Sequence, residues 1–169
     1  MENWYIPYQT AQLPKAEKVW ILAPHPDDEV FGCGGAALSY ASQNAQVHVT
    51  VVSSGTGYAQ AHDAAEIQNA REAETNAALK LMQLSPAQFM RLPDRGLGQC
   101  ADLPRKLFKA LQQHHFEAVL TPSLDEVHPD HLAVTRALFA ALEQLKAEGG
   151  TLPWVLQYEV GAPLKPNLL

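Results

Sequence analysis

Cysteine is scarce in this chain: Cys33 and Cys100 are the two present among 169 residues. They stand far apart and neither has a CxxC companion, which excludes a zinc knuckle and a paired redox motif. Free thiols in a reducing compartment are the expectation, and a cytoplasmic location follows from it. Long apolar runs are missing too. No stretch approaches the roughly 20 uncharged apolar residues that cross a bilayer, and the start of the chain carries Glu2 and Pro7 instead of basic residues leading into an apolar run. Neither a membrane span nor an export signal is expected. Basic clusters are also lacking, and the formal charge is -6. Nucleic-acid affinity comes mainly from Lys and Arg neutralising phosphates, so a small or neutral partner is expected and nucleic acid is not.

Apolar residues make up 47% of the chain, enough at this length for one hydrophobic core and a single domain over 1–169. Apolar runs of strand length alternate with longer segments of helical period, which is the pattern of an α/β fold with a parallel sheet and crossover helices. Strands are predicted at Val19 to Ala23, Val47 to Ser53, Gln88 to Leu92, Ala118 to Pro122 and Trp154 to Val160. A first helix begins near Pro26 and carries Phe31 and Leu38. A polar loop, Ser54 to Ala61, leads to a long helix from about Ala64 to Leu84, with Asp63 as its N-cap and Ile67, Ala70, Ala77, Ala78 and Leu81 at helical spacing. The turn-rich Pro93 to Gly98 precedes a helix containing Leu103, Leu107, Ala110 and Leu111. From Pro129 to about Glu148, Val134, Ala137, Leu138, Ala141, Leu142 and Leu145 form an apolar stripe that ends at Gly149-Gly150. The final Pro163 to Leu169 has no periodic signal.

Two of the seven histidines are followed by Pro-Asp, in His25-Pro26-Asp27-Asp28-Glu29 and His128-Pro129-Asp130-His131. Each segment follows a predicted strand and opens a predicted helix, with proline suited to the first helical position. If right-handed crossovers place strands one and four side by side, the two segments face each other across the crevice at the carboxyl ends of the strands. His25, Asp28 and His131 can then supply three ligands to one Zn²⁺ and leave positions open for water and substrate. Fe²⁺ or Co²⁺ also suits a His/carboxylate set. Such an ion polarises a carbonyl and brings its bound water from a pKa of 15.7 to about 7. Asp27 is the candidate general base. His128 can serve as an imidazolium, either as donor to the oxyanion or as proton source for the leaving amine, with Asp130 helping to keep it charged. Acidic residues in first helical turns are ordinary, because the dipole favours them by about 0.3 to 1 kcal/mol. That does not explain two histidines at corresponding ends of two strands.

These segments resemble the hallmarks of the LmbE-like, or PIG-L-like, zinc de-N-acetylases: Pro24-His25-Pro26-Asp27-Asp28-Glu29 after the first strand and His128-Pro129-Asp130-His131 after a later one. Arg71-Glu72-Ala73-Glu74, Leu92-Pro93-Asp94 and Tyr158-Glu159-Val160 extend the resemblance over nearly the whole chain. It implies a Rossmann-like three-layer fold with a mostly parallel central sheet of about five strands. It also implies zinc on His25, Asp28 and His131, Asp27 as base and His128 acting on the tetrahedral intermediate. The implied reaction is hydrolysis of an N-acetyl group from a glucosamine-containing molecule. Family members commonly continue beyond the equivalent of Tyr158-Glu159-Val160, so this domain is expected to lack the C-terminal part usual there; a homo-oligomer stays open. The loop Ser54 to Ala61 lacks the acidic residue that often follows strand two in relatives.

Arg71 has two readings: an exposed ion pair with Glu74, worth a few tenths of a kcal/mol, or, by the resemblance, a substrate-binding group. Asp94 is either a turn residue beside Gly96 or a sugar-hydroxyl contact. The Gly32-Cys33-Gly34-Gly35 run invites a nucleotide-binding module, but phosphate there meets Asp27, Asp28 and Glu29, so close helix-to-sheet packing accounts for it better. An amidase for another acyl group remains a rival within the same chemistry.

Overall fold

The computed structural model describes residues 12–57, 59–60 and 62–161. Residues 1–11, with Glu2 and Pro7, lie outside the described residues, as do Tyr58, Ala61 and the stretch 162–169 that includes Pro163 to Leu169. Five strands, β1 (Lys18–Ala23), β2 (Gln46–Ser53), β3 (Gln88–Leu92), β4 (Ala118–Pro122) and β5 (Trp154–Tyr158), form a parallel sheet in the order β3-β2-β1-β4-β5. The α/β class read from the sequence stands. So does the pairing of the first and fourth strands, in which Val19 lies opposite Ala118 and Ile21 opposite Leu120.

Side chains on β1 alternate across the sheet, as a strand's period of two requires. Val19, Ile21 and Ala23 pack on one face with Ala37 and Tyr40 of α2 (Gly34–Ser42) and Leu79 of α3 (Ala64–Leu81). Trp20 and Leu22 pack on the other with α4 (Leu103–His114) and α5 (Pro129–Ala147). The result is three layers, with β1 at the centre of the sheet and its inner residues nearly inaccessible to solvent. Truncating one of these large core side chains to alanine costs about 2 to 5 kcal/mol. Among the described residues no helix is long and apolar enough to cross a membrane.

The predicted stripe of α5 is buried at every named position, Val134, Ala137, Leu138, Ala141, Leu142 and Leu145, and Gly149 takes the positive φ of 78° that stops the helix. The first helix differs from expectation. It is broken into α1 (Asp28–Phe31) and α2 where Cys33 leaves the helical conformation, at φ -131° and ψ 4°, and just before it a Cβ on Gly32 would collide with the ring of Tyr158. That ring is fixed by its hydroxyl, which donates to Leu22 O at 2.7 Å. Gly32 thus serves packing, whereas a Cβ on Gly34 would make only ordinary contacts and one on Gly35 none within 4 Å. Phe31 and Leu38 are left exposed. Helix α3 ends at Leu81, three residues early, as Gln83 turns to φ 59°. Its buried positions are Thr75 and Leu79, while Leu81 faces solvent. Asp63 occupies the N-cap position but makes no side-chain cap bond.

Candidate metal centre

Both His-Pro-Asp segments lie at the carboxyl ends of neighbouring strands, but the chain treats them differently. In the second, Pro129 is the first residue of α5 and His128 is the N-cap, its Nδ1 accepting from the Asp130 backbone N–H at 3.2 Å. In the first, Pro26 precedes the helix and Asp27 is its N-cap, with φ 103° and ψ -28°. A non-glycine residue in that region is strained, at a cost of order 1 to 3 kcal/mol, and needs outside support. Three contacts provide it. The Asp27 N–H donates to Glu29 Oε2 at 2.9 Å; Arg71 Nη2 donates to Asp27 Oδ2 at 3.0 Å and to Pro26 O at 3.2 Å. Arg71 Nη1 donates to Gly55 O at 3.0 Å. Gly55 itself has φ 65°, and a Cβ there would lie 2.8 Å from the Pro26 ring.

The carboxylate of Asp28 stands between two imidazoles, with Oδ2 3.3 Å from His25 Nδ1 and 3.3 Å from His131 Nε2. Ligands held tetrahedrally at about 2.0 to 2.1 Å from zinc are about 3.3 Å from one another, so both separations match the edge of such a site. The same oxygen accepts the His25 backbone N–H at 2.9 Å. Burial pushes the Asp28 carboxyl up, but hydrogen bonding and charge from His131 and His25 outweigh it and hold the group well below the usual carboxylate range. For His25 burial lowers the pKa, and Asp28, Asp94 and Asp130 together raise it above the ordinary value. A buried anion shared by two imidazoles is a place where a cation is favoured.

Each imidazole turns its other nitrogen to a carboxylate. His25 Nε2 is 3.3 Å from Asp130 Oδ2 and 3.4 Å from Asp94 Oδ1, and His131 Nδ1 is 3.4 Å from Glu126 Oε2. Asp130 is held in turn by the backbone N–H groups of Arg95 at 2.6 Å and Leu97 at 3.1 Å, and Asp94 by that of Gly57 at 2.8 Å. Candidate ligand atoms of His25, His128 and His131 lie within 4.8 Å of one another, and so do those of His25, Asp94 and Asp130. His25 belongs to both groups. Neither group contains Asp28, although its Oδ2 is 3.3 Å from one nitrogen of each of His25 and His131; both oxygens of Asp130 accept backbone N–H groups, which suits it to orient the His25 ring.

The structure therefore brings His25, Asp27, Asp28, His128, Asp130 and His131 to one place, and adds Asp94. Two roles differ from the sequence reading. The Asp130 carboxylate reaches His25, and it is the Asp130 backbone that reaches His128. His128 Nδ1 accepts that bond; burial and the charges of His25 and His131 lower the His128 pKa, while the charges of Asp130 and Asp94 raise it. Arg71 is engaged with Asp27, Pro26 and Gly55 rather than with Glu74. Sequence reasoning gives no role to Glu126 or Glu29. Glu29 forms part of the His-Pro-Asp-Asp-Glu segment and Glu126 lies two residues before His128; their burial, at 1% and 3% exposure, is the signal, and it is visible only in the fold.

Asp27 is about half exposed and opens on a recess of about 210 Å³ that Arg71 and Phe31 also line. Its carboxyl is raised by burial and by Asp28, against the lowering effect of Arg71. A larger groove, about 790 Å³, lies elsewhere, beside Leu111, Leu145 and Trp154, and contains none of these residues. Both cysteines are free; burial pushes the Cys33 thiol up and keeps it unreactive. His48 and His114 pair with Phe116, away from the cluster.

The site is a His/Asp cluster at the switch point of a parallel α/β sheet. The chain belongs to the PIG-L family, described as GlcNAc-PI de-N-acetylase, which it matches over residues 20–142. Solved structures share the fold. The conserved protein TT1542 from Thermus thermophilus is 24% identical with a TM-score of 0.72, the match covering 90% of this chain and 70% of that one. The N,N'-diacetylchitobiose deacetylase from Pyrococcus horikoshii is 21% identical with a TM-score of 0.72, covering 85% and 60%. GalB, the 4-carboxy-2-hydroxymuconate hydratase from Pseudomonas putida, is 22% identical with a TM-score of 0.67, covering 82% and 64%. This chain thus spans between 60% and 70% of the lengths of these neighbours. A deacetylase and a hydratase on one fold leave the choice of reaction to the site.

Proposed function

We propose that this protein is a metal-dependent hydrolase that removes the N-acetyl group from an N-acetylglucosaminyl small molecule or conjugate, with Zn²⁺ held by His25, Asp28 and His131. One observation carries the reading: the Asp28 carboxylate lies 3.3 Å from one nitrogen of each of His25 and His131, and Asp27, the residue before it, is about half exposed. Family membership supports amide hydrolysis over hydration. When bound, zinc polarises the amide carbonyl and makes water a nucleophile near neutral pH.

The chain's own residues do the rest. Asp27, aimed by Arg71 and Glu29, accepts a proton as the water oxygen adds to the carbonyl carbon. His128 offers its Nε2–H to the oxygen on which negative charge develops. Asp27 then returns the proton to nitrogen as the C–N bond breaks, which releases acetate and a free amine. Fe²⁺ fits the same donors. The test is acetate release from a panel of N-acetylated amino sugars and other amides, measured with zinc and with Fe²⁺. Turnover of N-acetylglucosaminyl compounds is expected, together with its loss in Asp27→Asn. Turnover restricted to other acyl groups would make the protein a different amidase, and turnover unchanged in Asp27→Asn would remove Asp27 as base.

A further inference from the structure

We infer that Glu126 is a positioning residue: its carboxylate takes the Nδ1–H of His131, fixes which ring nitrogen faces Asp28, and ties that choice to the backbone after β5. The inference rests on the metal reading above. His131 is 5% exposed and its Nδ1 makes no closed hydrogen bond, although Glu126 Oε2 stands only 3.4 Å away. If Nε2 points its lone pair toward Asp28 and an ion, Nδ1 must carry the proton. A buried N–H needs an acceptor, and the Glu126 side chain, itself inaccessible to solvent, is the carboxylate in reach. Histidines that bind metals commonly donate their other N–H to a carboxylate in this way.

The geometry around Glu126 shows why it can hold a fixed position. Oε1 accepts the Val160 N–H at 2.6 Å and the Gly161 N–H at 3.0 Å, and Gly161 N–H also reaches Oε2 at 3.2 Å. Its own N–H donates to Ser123 O at 3.2 Å, and Ser123 N–H donates to Tyr158 O at 2.7 Å. The loop between β4 and α5 is therefore stitched to the end of β5, and the carboxylate bridges that stitch to His131. His25 has its counterpart in Asp130.

Competition with a chromogenic chelator, on the full chain, measures zinc affinity. Glu126→Gln keeps an oxygen that can accept from Val160 and Gly161 but loses the charge, and it is expected to bind zinc about 10- to 100-fold more weakly, with Glu126→Asp recovering part of the loss. A second readout needs no change at Glu126. Imidazole ¹H–¹⁵N correlations of the zinc-loaded wild type, assigned through the couplings that link each ring to its own backbone, should show His131 protonated on Nδ1. Glu126→Gln binding zinc within about twofold of wild type would overturn the inference and leave the metal reading standing, whereas His131 protonated on Nε2 in the zinc-loaded protein would overturn the inference and remove His131 Nε2 as a ligand. A wild type that binds no zinc in the same competition sinks both.

Discussion

The two His-Pro-Asp segments share a tripeptide and a place at the sheet edge, yet they are built on different physics. The second is a local structure: proline opens α5, His128 caps it, and the apolar stripe behind seats the helix on the sheet. The first depends on residues far away in sequence, since the strained backbone of Asp27 is held by Arg71 of α3 and by a glycine loop that follows β2. Where the surroundings impose a conformation that the residue does not favour, the side chain so aimed is a candidate for chemistry.

The sharpest break in that comparison comes from removing one proposed ligand on each side. His25→Ala and His131→Ala should each lose zinc outright in metal analysis; retention of stoichiometric metal by either would show that it is not a ligand. Asp27→Asn should keep the metal and lower kcat by about 10² to 10⁴-fold in acetate-release assays. Arg71→Met removes the solvent-screened ion pair that aims Asp27 and should reduce kcat up to about 10-fold with KM little changed. A raised KM with kcat intact would instead make Arg71 a group that holds substrate.

Gly55→Ala strains the first segment through a positive φ and a 2.8 Å approach to Pro26, and should cost about 1 to 3 kcal/mol by urea unfolding. Pro129→Ala, in the locally built second segment, should cost less than that. The smallest effect lies outside both segments. Burial, with the charges of His114 and Lys18, holds the His48 pKa below its ordinary 6.5. The unfolded chain then binds the proton more readily, so the contribution of neutral His48 is fully present above 6.5 and is lost as pH falls through the folded-state value. His48→Gln should show a smaller drop in urea midpoint between about pH 7.5 and pH 5 than the wild type; equal drops would assign the acid sensitivity elsewhere.

The sequence reveals what local patterns determine. Strand positions, the α5 stripe with its glycine stop, and the convergence of the two histidine segments follow from periodicity and right-handed parallel topology. What it conceals depends on contacts between distant residues. The lack of room for a side chain at Gly32 is set by Tyr158, 126 positions later, and the exposure of Leu81 by which side of α3 meets the sheet. The same holds within the site. Nearness in sequence pairs Asp130 with His128, but the fold turns its carboxylate to His25, 105 positions away. Helical spacing pairs Arg71 with Glu74, and the resemblance makes it a substrate group; in the fold it reaches Asp27, 44 positions away.

Anomalous diffraction from crystals loaded with zinc tests the central claim most directly. One ion should lie about 2.0 to 2.2 Å from His25 Nδ1, Asp28 Oδ2 and His131 Nε2. An ion bound instead between Asp94 and Asp130 on the far side of His25, or no ion at all, would contradict it.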